Sequence, residues 1–379
     1  MEKAVAIVCE YNPLHAGHAW QLSSVRAKFP DKPIVLLMSG NFVQRAEAAV
    51  CDHTLRARAA LECGADLVLL LPFPYSTFGA QGYAASAVHL LAKSGVVDTL
   101  AFGAECGDEA LLKKCAKALC SATFEEKLSA LLKEDSRASY AHLRALALES
   151  LVAGAQVLLK EPNNILSIEY LAAIEREGAG ITPFVLPRSP EPSATALRAR
   201  IQKKEALTEA DVPCDFLREE LSAIQTLPQE AMGKTLLAAL RAGLVCEELS
   251  SLGARVGEAA RAARDFEDFV QLAKTRKITS ARIRRGVLHA YFGVREGKVP
   301  PAPYTILLGA NEKGRAVLSF IYNIGELPVF TKPSAPLKQE GEIGALSELN
   351  ARADSVYALL LGREGAFYLK QNPVIVNKL

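Results

Sequence analysis

No two cysteines in this chain stand as a C-x-x-C pair, although Cys9, Cys51, Cys63, Cys106, Cys115, Cys120, Cys214 and Cys246 make eight. A chain of 379 residues that is half hydrophobic has core enough to do without disulfide staples. Reduced thiols in a cytoplasmic protein are expected. Net charge is nearly absent as well: 44 Lys and Arg against 42 Asp and Glu leave +2. Bulk charge therefore predicts no partner, and any attraction to nucleic acid has to be local. Long hydrophobic runs are missing. The longest, LVLLLPFPY, is broken by Pro72 and Pro74 and falls short of the ~20 residues that a bilayer-crossing helix needs. No membrane partner is expected. The first apolar run is too short for a secretory leader and enters a polar loop. There is no internal repeat, no low-complexity tract and no coiled-coil seam, so the oligomeric state stays open.

What is present is alternation. VAIVC, PIVLLMSG, DLVLLLP and TLAFG read as buried strands, separated by the helical stretches HAWQLSSVRAKF, TLRARAALECG and AQGYAASAVHLLAKSG. This pattern predicts an α/β fold, a Rossmann-like doubly wound parallel sheet with helices on both faces. Residues 108–178 read as mostly helical, interrupted at EPNNIL, and GITPFVLPR reads as a fifth strand. Beyond about residue 200, helical segments such as CDFLREELSAIQTL and EAMGKTLLAALRAGL follow each other. Strand character returns only at YTILLGANEKGRAVLSFIYN. The expected organisation is an α/β domain over 1–200. A mainly helical domain with a small α/β end piece follows over 201–379.

Ligands of a doubly wound sheet bind beyond the carboxyl ends of its strands. The first such loop here is EYNPLHAGH. A helix N-terminus offers N–H groups and partial positive charge to phosphate, and Gly17 removes a Cβ where a nucleotide would press on the backbone. His15 and His18, three apart, can face one side of the first turn and stabilise charge on a phosphate undergoing nucleotidyl transfer. The alternative is that both merely cap the helix and pack. A metal site is not expected, because no Asp, Glu or Cys partner stands at ligand spacing. Ser39-Gly40-Asn41 ends the second strand on the same side, making Asn41, Gln44 and Arg45 candidates to contact substrate. The alternative there is a solvated loop with a helical Asp52–Arg56 ion pair. Cys9 reads as packing, since nothing beside it lowers its pKa. Lys274, Arg276, Lys277, Arg282, Arg284 and Arg285 fall within twelve residues free of Asp and Glu. They form either an RNA-phosphate footprint or a solvated face.

HAGH resembles the signature of the HxGH nucleotidyltransferase superfamily. Its second motif, S-x-T-x-I-R, is matched by Ser193-Ala194-Thr195-Ala196-Leu197-Arg198, with Leu197 in place of Ile. CEYNPLHAGH, MSGNFVQRAE, GADLVLLLPFPYSTFGAQGYA and EPNNILSIEYL further resemble the bacterial tRNA(Met) cytidine acetate ligase family. The likeness runs through most of the first 200 residues, and more thinly through KTRKITSARIRRGVLHAY and PYTILLGANEKGRAVL. Leu14 stands where that family commonly has Phe, and Ala16 where it has Asn.

The resemblance implies an enzyme that uses ATP, with magnesium, to activate acetate as acetyl-adenylate. It then acetylates the wobble cytidine of elongator tRNA(Met) to N4-acetylcytidine. It implies His15, His18 and Arg198 as catalytic residues, with Arg198 on the β,γ-phosphates. It implies a nucleotide site built from Ile7, Val8, Cys9, Glu10, Tyr11, Asn12, Pro13, Leu14, His15, Ala16, Gly17 and His18, with Gly103, Asn163 and Arg188 lining the same pocket. Asn163 and Asn164 are not distinguished. Two other functions are compatible with the fold: a small-molecule adenylyltransferase with an accessory helical domain, and a non-catalytic RNA-binding protein. The basic, helical second half disfavours the former. Intact His15, Gly17, His18 and Arg198 disfavour the latter.

Overall fold

The computed structural model describes residues 2–135, 137–187 and 193–377. Strands β1 (Ala4–Cys9), β2 (Ile34–Ser39), β3 (Phe42–Val43), β4 (Glu47–Ala48), β5 (Leu67–Leu71), β6 (Val97–Ala104) and β7 (Thr182–Pro187) occupy the first half. Helices α1 (Ala16–Lys28), α2 (His53–Glu62) and α3 (Ala80–Lys93) lie among them. Between β6 and β7 run α4 (Glu109–Leu119), α5 (Ala122–Glu134), α6 (Tyr140–Glu149), α7 (Ala155–Leu158) and α8 (Pro162–Glu177). Every residue of β2 and β5 is buried, as expected of parallel strands covered on both faces. The chain winds outward from β1 through β2 to β5, then returns to β6 and β7 on the other side of β1. All these pairings are parallel. The sheet is doubly wound, and β1 is its switch point.

The sheet does not end with the first half. After α9 (Ala194–Gln202) come the helices α10 (Asp215–Ala223), α11 (Pro228–Arg241), α12 (Arg255–Ala262), α13 (Phe266–Ala273) and α14 (Ser280–Phe292). The chain then supplies β8 (Thr305–Ala310), α15 (Glu312–Ile324), β9 (Val329–Phe330), α16 (Gly341–Leu360) and β10 (Val374–Ile375). The α/β end piece expected in the second domain is instead part of the main sheet. β8 pairs antiparallel with β5, and β9 and β10 pair in parallel with β8. The physical reason is the edge: LVLLL of β5 would otherwise present an unpaired, wholly apolar strand. The apolar pattern of TILLGA marks a buried strand but not the strand it joins.

Asp66 ties β8 down at the amino end of β5. It accepts from Arg26 at 2.6 Å, the Ile34 N–H at 2.8 Å and Asn311 Nδ2 at 2.8 Å. At the opposite, carboxyl end, α14 docks on the loops that follow β2 and β5. Phe292 makes edge contacts with Phe42 and Phe73 at 5.4 and 5.0 Å. The helical segment thus sits against the end of the sheet where ligands bind.

Candidate active site

The loop after β1 is shaped by backbone demands. Tyr11 adopts a positive φ of 47°, uncommon for a side-chain-bearing residue and a mark of local strain. His15 is the N-cap of α1, and its Nδ1 accepts from the Gly17 N–H at 3.1 Å. His18 Nδ1 accepts from the His15 N–H at 3.4 Å. The two rings lie 3.8 Å apart, and Tyr11 lies 4.6 Å from His18. Capping leaves both rings on the wall of a cavity. With each Nδ1 occupied as an acceptor, each neutral ring carries its proton on Nε2. Burial and the nearby His15 hold His18 well below the usual imidazole range, which keeps it neutral. The backbone N–H groups of the first turn are less available than expected. Ala16 donates to the Asp211 carbonyl at 3.0 Å, and His18 and Ala19 donate to that of His15. Both imidazoles line the cavity.

Arg198 reaches the loop from α9, where Ser193 caps the helix. Its Nη1 donates to the Asn12 carbonyl at 2.7 Å and its Nη2 to Thr195 Oγ1 at 3.2 Å. Leu197, in place of isoleucine, is buried. A cavity of about 360 Å³ opens between the β1 loop, the β3–β4 turn, the ends of β6 and β7, and the starts of α8 and α9. Of the candidate residues, Val8, Cys9, Glu10, Tyr11, Asn12, His15, Gly17, His18, Gln44, Arg45, Gly103, Asn163 and Arg198 line it. Burial pushes the Cys9 thiol up, in keeping with packing. A Cβ built on Gly103 meets nothing within 4 Å, so that position leaves room for a ligand to approach the strand end.

Ile7, Pro13, Leu14 and Ala16 do not line the cavity. Ile7 and Leu14 are core residues, and Ala16 turns its N–H to Asp211. Arg188 lies outside the described residues. Asn163 and Asn164 divide the work. Asn163 lines the cavity and donates from Nδ2 to Glu105 Oε1 at 2.7 Å. Asn164 is buried, and its Oδ1 accepts from the Cys106 N–H at 2.8 Å. Sequence reasoning also missed cavity residues: Trp20, Gln21, Glu47, Tyr83, Phe102, Glu105 and Tyr170. The two tyrosines come from α3 and α8, whose helical patterns give no sign of which face meets the strand ends.

Asn41 is a correction. It is buried outside the cavity lining, its Oδ1 accepting from the His53 N–H at 2.9 Å and its Nδ2 donating to Asp354 at 2.8 Å. Both ends of its amide are spent on structure. Nor do Asp52 and Arg56 pair. Asp52 caps α2 and binds Arg363 at 2.7 Å. Arg56 is fully buried and donates to the carbonyls of Cys51, Glu10, Ser39 and Gly40 at 3.0, 2.5, 3.0 and 2.6 Å. It clamps the end of β2 to the β1 loop.

The basic stripe separates into two groups. Lys274, Arg276, Lys277 and Arg282 are exposed. Arg284 pairs with Glu267, and Arg285 donates to the Thr77 carbonyl at 3.1 Å and packs on Gly79. Arg285 is thus spent on holding α14 in place, whereas Arg284 is engaged only in an ion pair with a partly exposed glutamate. Among the described residues no three His, Cys, Asp or Glu side chains gather as a metal site, and no helix is long and apolar enough to cross a membrane.

The family model described as HIGH nucleotidyl transferase matches residues 2–371. A curated relative from Syntrophotalea carbinolica, named tRNA(Met) cytidine acetate ligase, is 32% identical over 95% of this chain and 94% of its own length. One of the same name from Caldanaerobacter subterraneus is 33% identical over 94% and 95%. Among solved structures, Thermotoga maritima TmcAL bound with alpha-thio ATP superposes with a TM-score of 0.87 at 28% identity. That superposition covers 99% of this chain and 100% of the other.

Proposed function

The chain belongs to the HIGH nucleotidyl transferase family and, within it, to the tRNA(Met) cytidine acetate ligases, and from that premise we propose how its cavity performs the ligation. The protein is an ATP-dependent ligase. ATP lies along the β1 loop with its phosphates toward His15, His18 and Arg198. One observation carries this placement: the two imidazoles lie side by side on the cavity wall, each accepting a backbone N–H at Nδ1, from which an Nε2–H tautomer follows. Neutral, preorganised N–H donors suit an α-phosphate whose charge grows during attack. Arg198, braced by the Asn12 carbonyl, meets the β,γ-phosphates that leave.

Acetate is a poor acyl donor. An acetate oxygen attacks the α-phosphorus, pyrophosphate departs, and acetyl-adenylate remains. Gln44 and Arg45, on the β3–β4 turn at the cavity rim, hold the small carboxylate or the departing pyrophosphate. The exocyclic amine of the wobble cytosine of tRNA(Met) then takes the acetyl group. The base must leave its stack to enter the cavity, and exposed Lys274, Arg276, Lys277 and Arg282 grip the surrounding phosphates. Magnesium enters on the phosphates of ATP; among the described residues no three His, Cys, Asp or Glu side chains gather to hold it separately. The helical segment α10–α14 serves as the tRNA-binding unit, and the reaction belongs to the cytoplasm.

The test is one reaction. The protein is incubated with ATP, isotope-labelled acetate and bacterial tRNA lacking acetylation, and the nucleosides are analysed by mass spectrometry. Labelled N4-acetylcytidine that requires ATP is expected. Pyrophosphate release with another acid or a phosphomonoester, and no acetylated nucleoside, would shift the assignment to a small-molecule adenylyltransferase.

A further inference from the structure

Acetyl transfer to the cytosine amine releases a proton, and something must take it. The cavity offers few acceptors. His15 and His18 are excluded, because each Nδ1 already accepts a backbone N–H and each Nε2 carries a proton. Glu105 is engaged at both oxygens, by Asn163 Nδ2 at 2.7 Å and the Asn164 N–H at 2.9 Å. It locks the start of α8. Glu47 stands on the two-residue strand β4 at the rim. Glu10 differs from all of these. Its Oε1 accepts the Gln44 N–H at 2.8 Å, and its own carbonyl is clamped by Arg56 at 2.5 Å. Glu10 is thus held at its side chain by the β3–β4 turn and at its backbone by Arg56, and it lines the cavity together with His15 and His18.

We propose that Glu10 is the general base of the transfer step, its carboxylate accepting the proton from N4 of the cytosine as that nitrogen attacks the acetyl carbonyl. The inference rests on the acetate ligase function given above. In the step, the N4–C bond forms and the bond from the acetyl carbon to the AMP phosphate oxygen breaks. AMP leaves with that electron pair. The N4 proton passes to Glu10 and then to solvent. Burial raises the affinity of Glu10 for a proton, against the Gln44 N–H and the guanidinium groups of Arg198, Arg45 and Arg56. The other titratable groups around it, Cys9, Tyr83 and Tyr170, are held neutral by burial.

The test separates the two half-reactions in the full protein. Acetate-dependent exchange of labelled pyrophosphate into ATP reads adenylate formation. A single-turnover assay with acetyl-adenylate and tRNA reads transfer. Glu10→Gln keeps an oxygen for the Gln44 N–H, so the loop retains its anchor. Transfer is expected to fall roughly 10²–10⁴-fold, as for loss of a general base, with exchange falling far less. In the wild type the transfer rate drops as pH falls through the raised pKa of Glu10; in Glu10→Gln this acidic limb disappears. Glu10→Asp is expected to restore part of the rate together with the limb. Equal loss of exchange and transfer in Glu10→Gln, or a limb that persists, would overturn the assignment. If Glu10→Gln does not fold, Glu10→Asp decides: an unshifted limb at full rate would also overturn it. Absence of acetate-dependent exchange in the wild type would overturn the ligase reading instead, so the two failures are distinct.

Discussion

Two sets of arginines and lysines flank the same end of the sheet, and they do opposite things. Arg56 on α2 has no exposed surface, and its guanidinium serves four backbone carbonyls. Lys274, Arg276, Lys277 and Arg282 are exposed on and beside α14. The first holds the β1 loop against the end of β2; the second faces solvent. Charge alone does not separate these jobs. What separates them is whether the cation's donors are already spent inside the fold, since a buried donor set is costly to leave unmade and an exposed one is not.

The sharpest way to break this contrast is to remove the buried cation. Arg56→Met leaves four carbonyls without their donor in a closed site. Each buried carbonyl left without a donor costs roughly 1–3 kcal/mol, so the expected loss of stability is at least about 3 kcal/mol, seen as a lower urea midpoint. Arg56→Lys places a charge there without the planar fork, and is expected to recover only part of the loss. Full stability in Arg56→Met would mean that the clamp is not needed. Next in size is His18→Ala. It removes one preorganised donor, so adenylate formation is expected to slow roughly 10²–10³-fold, measured by pyrophosphate exchange. Its effect on folding is expected to be small, because the cap bond from the Gly17 N–H to His15 remains.

The exposed set is expected to answer through salt. Lys277→Glu with Arg282→Glu should weaken tRNA binding and flatten the slope of log affinity against log salt by about 2, one for each phosphate no longer neutralised. ATP binding should be unchanged. Arg285→Glu, from the same stripe, should instead cost stability, because Arg285 donates to the Thr77 carbonyl. If all three substitutions behaved alike, the division of the stripe into structural and free cations would fail.

The parts of this molecule that are legible in the sequence are those written in neighbouring residues. HAGH carries its cap chemistry within four positions, and VAIVC and DLVLLLP declare buried strands by their own composition. Arg56 is misread from the sequence because its partners Glu10, Ser39 and Gly40 lie 46, 17 and 16 residues away, whereas Asp52 stands at helical spacing. Asn41 reads as a substrate contact until Asp354, 313 residues on, arrives to use its amide. The placement of β8 against β5 is likewise a pairing between distant segments that periodicity cannot see. Glu10 is visible in the sequence only as one member of a loop; its distinction from Glu105 needs the hydrogen bonds of α8.

The smallest expected effect sits at the boundary between the two classes. Arg284 belongs to the stripe by sequence, but its guanidinium pairs with Glu267 on the preceding helix, and the glutamate side chain keeps 57% of its exposure. An ion pair that open is screened by solvent, and its loss is worth less than about 1 kcal/mol. Arg284→Ala is therefore expected to shift the urea midpoint barely and to change the salt slope of tRNA binding by less than about 1. Glu267→Ala is the complementary experiment. It releases Arg284 without removing it, and tRNA binding should tighten slightly at low salt if the freed guanidinium reaches a phosphate. A change of a full unit in the salt slope for Arg284→Ala would place Arg284 with Lys277 and Arg282. The line between structural and free cations would then have to be drawn at burial rather than at pairing.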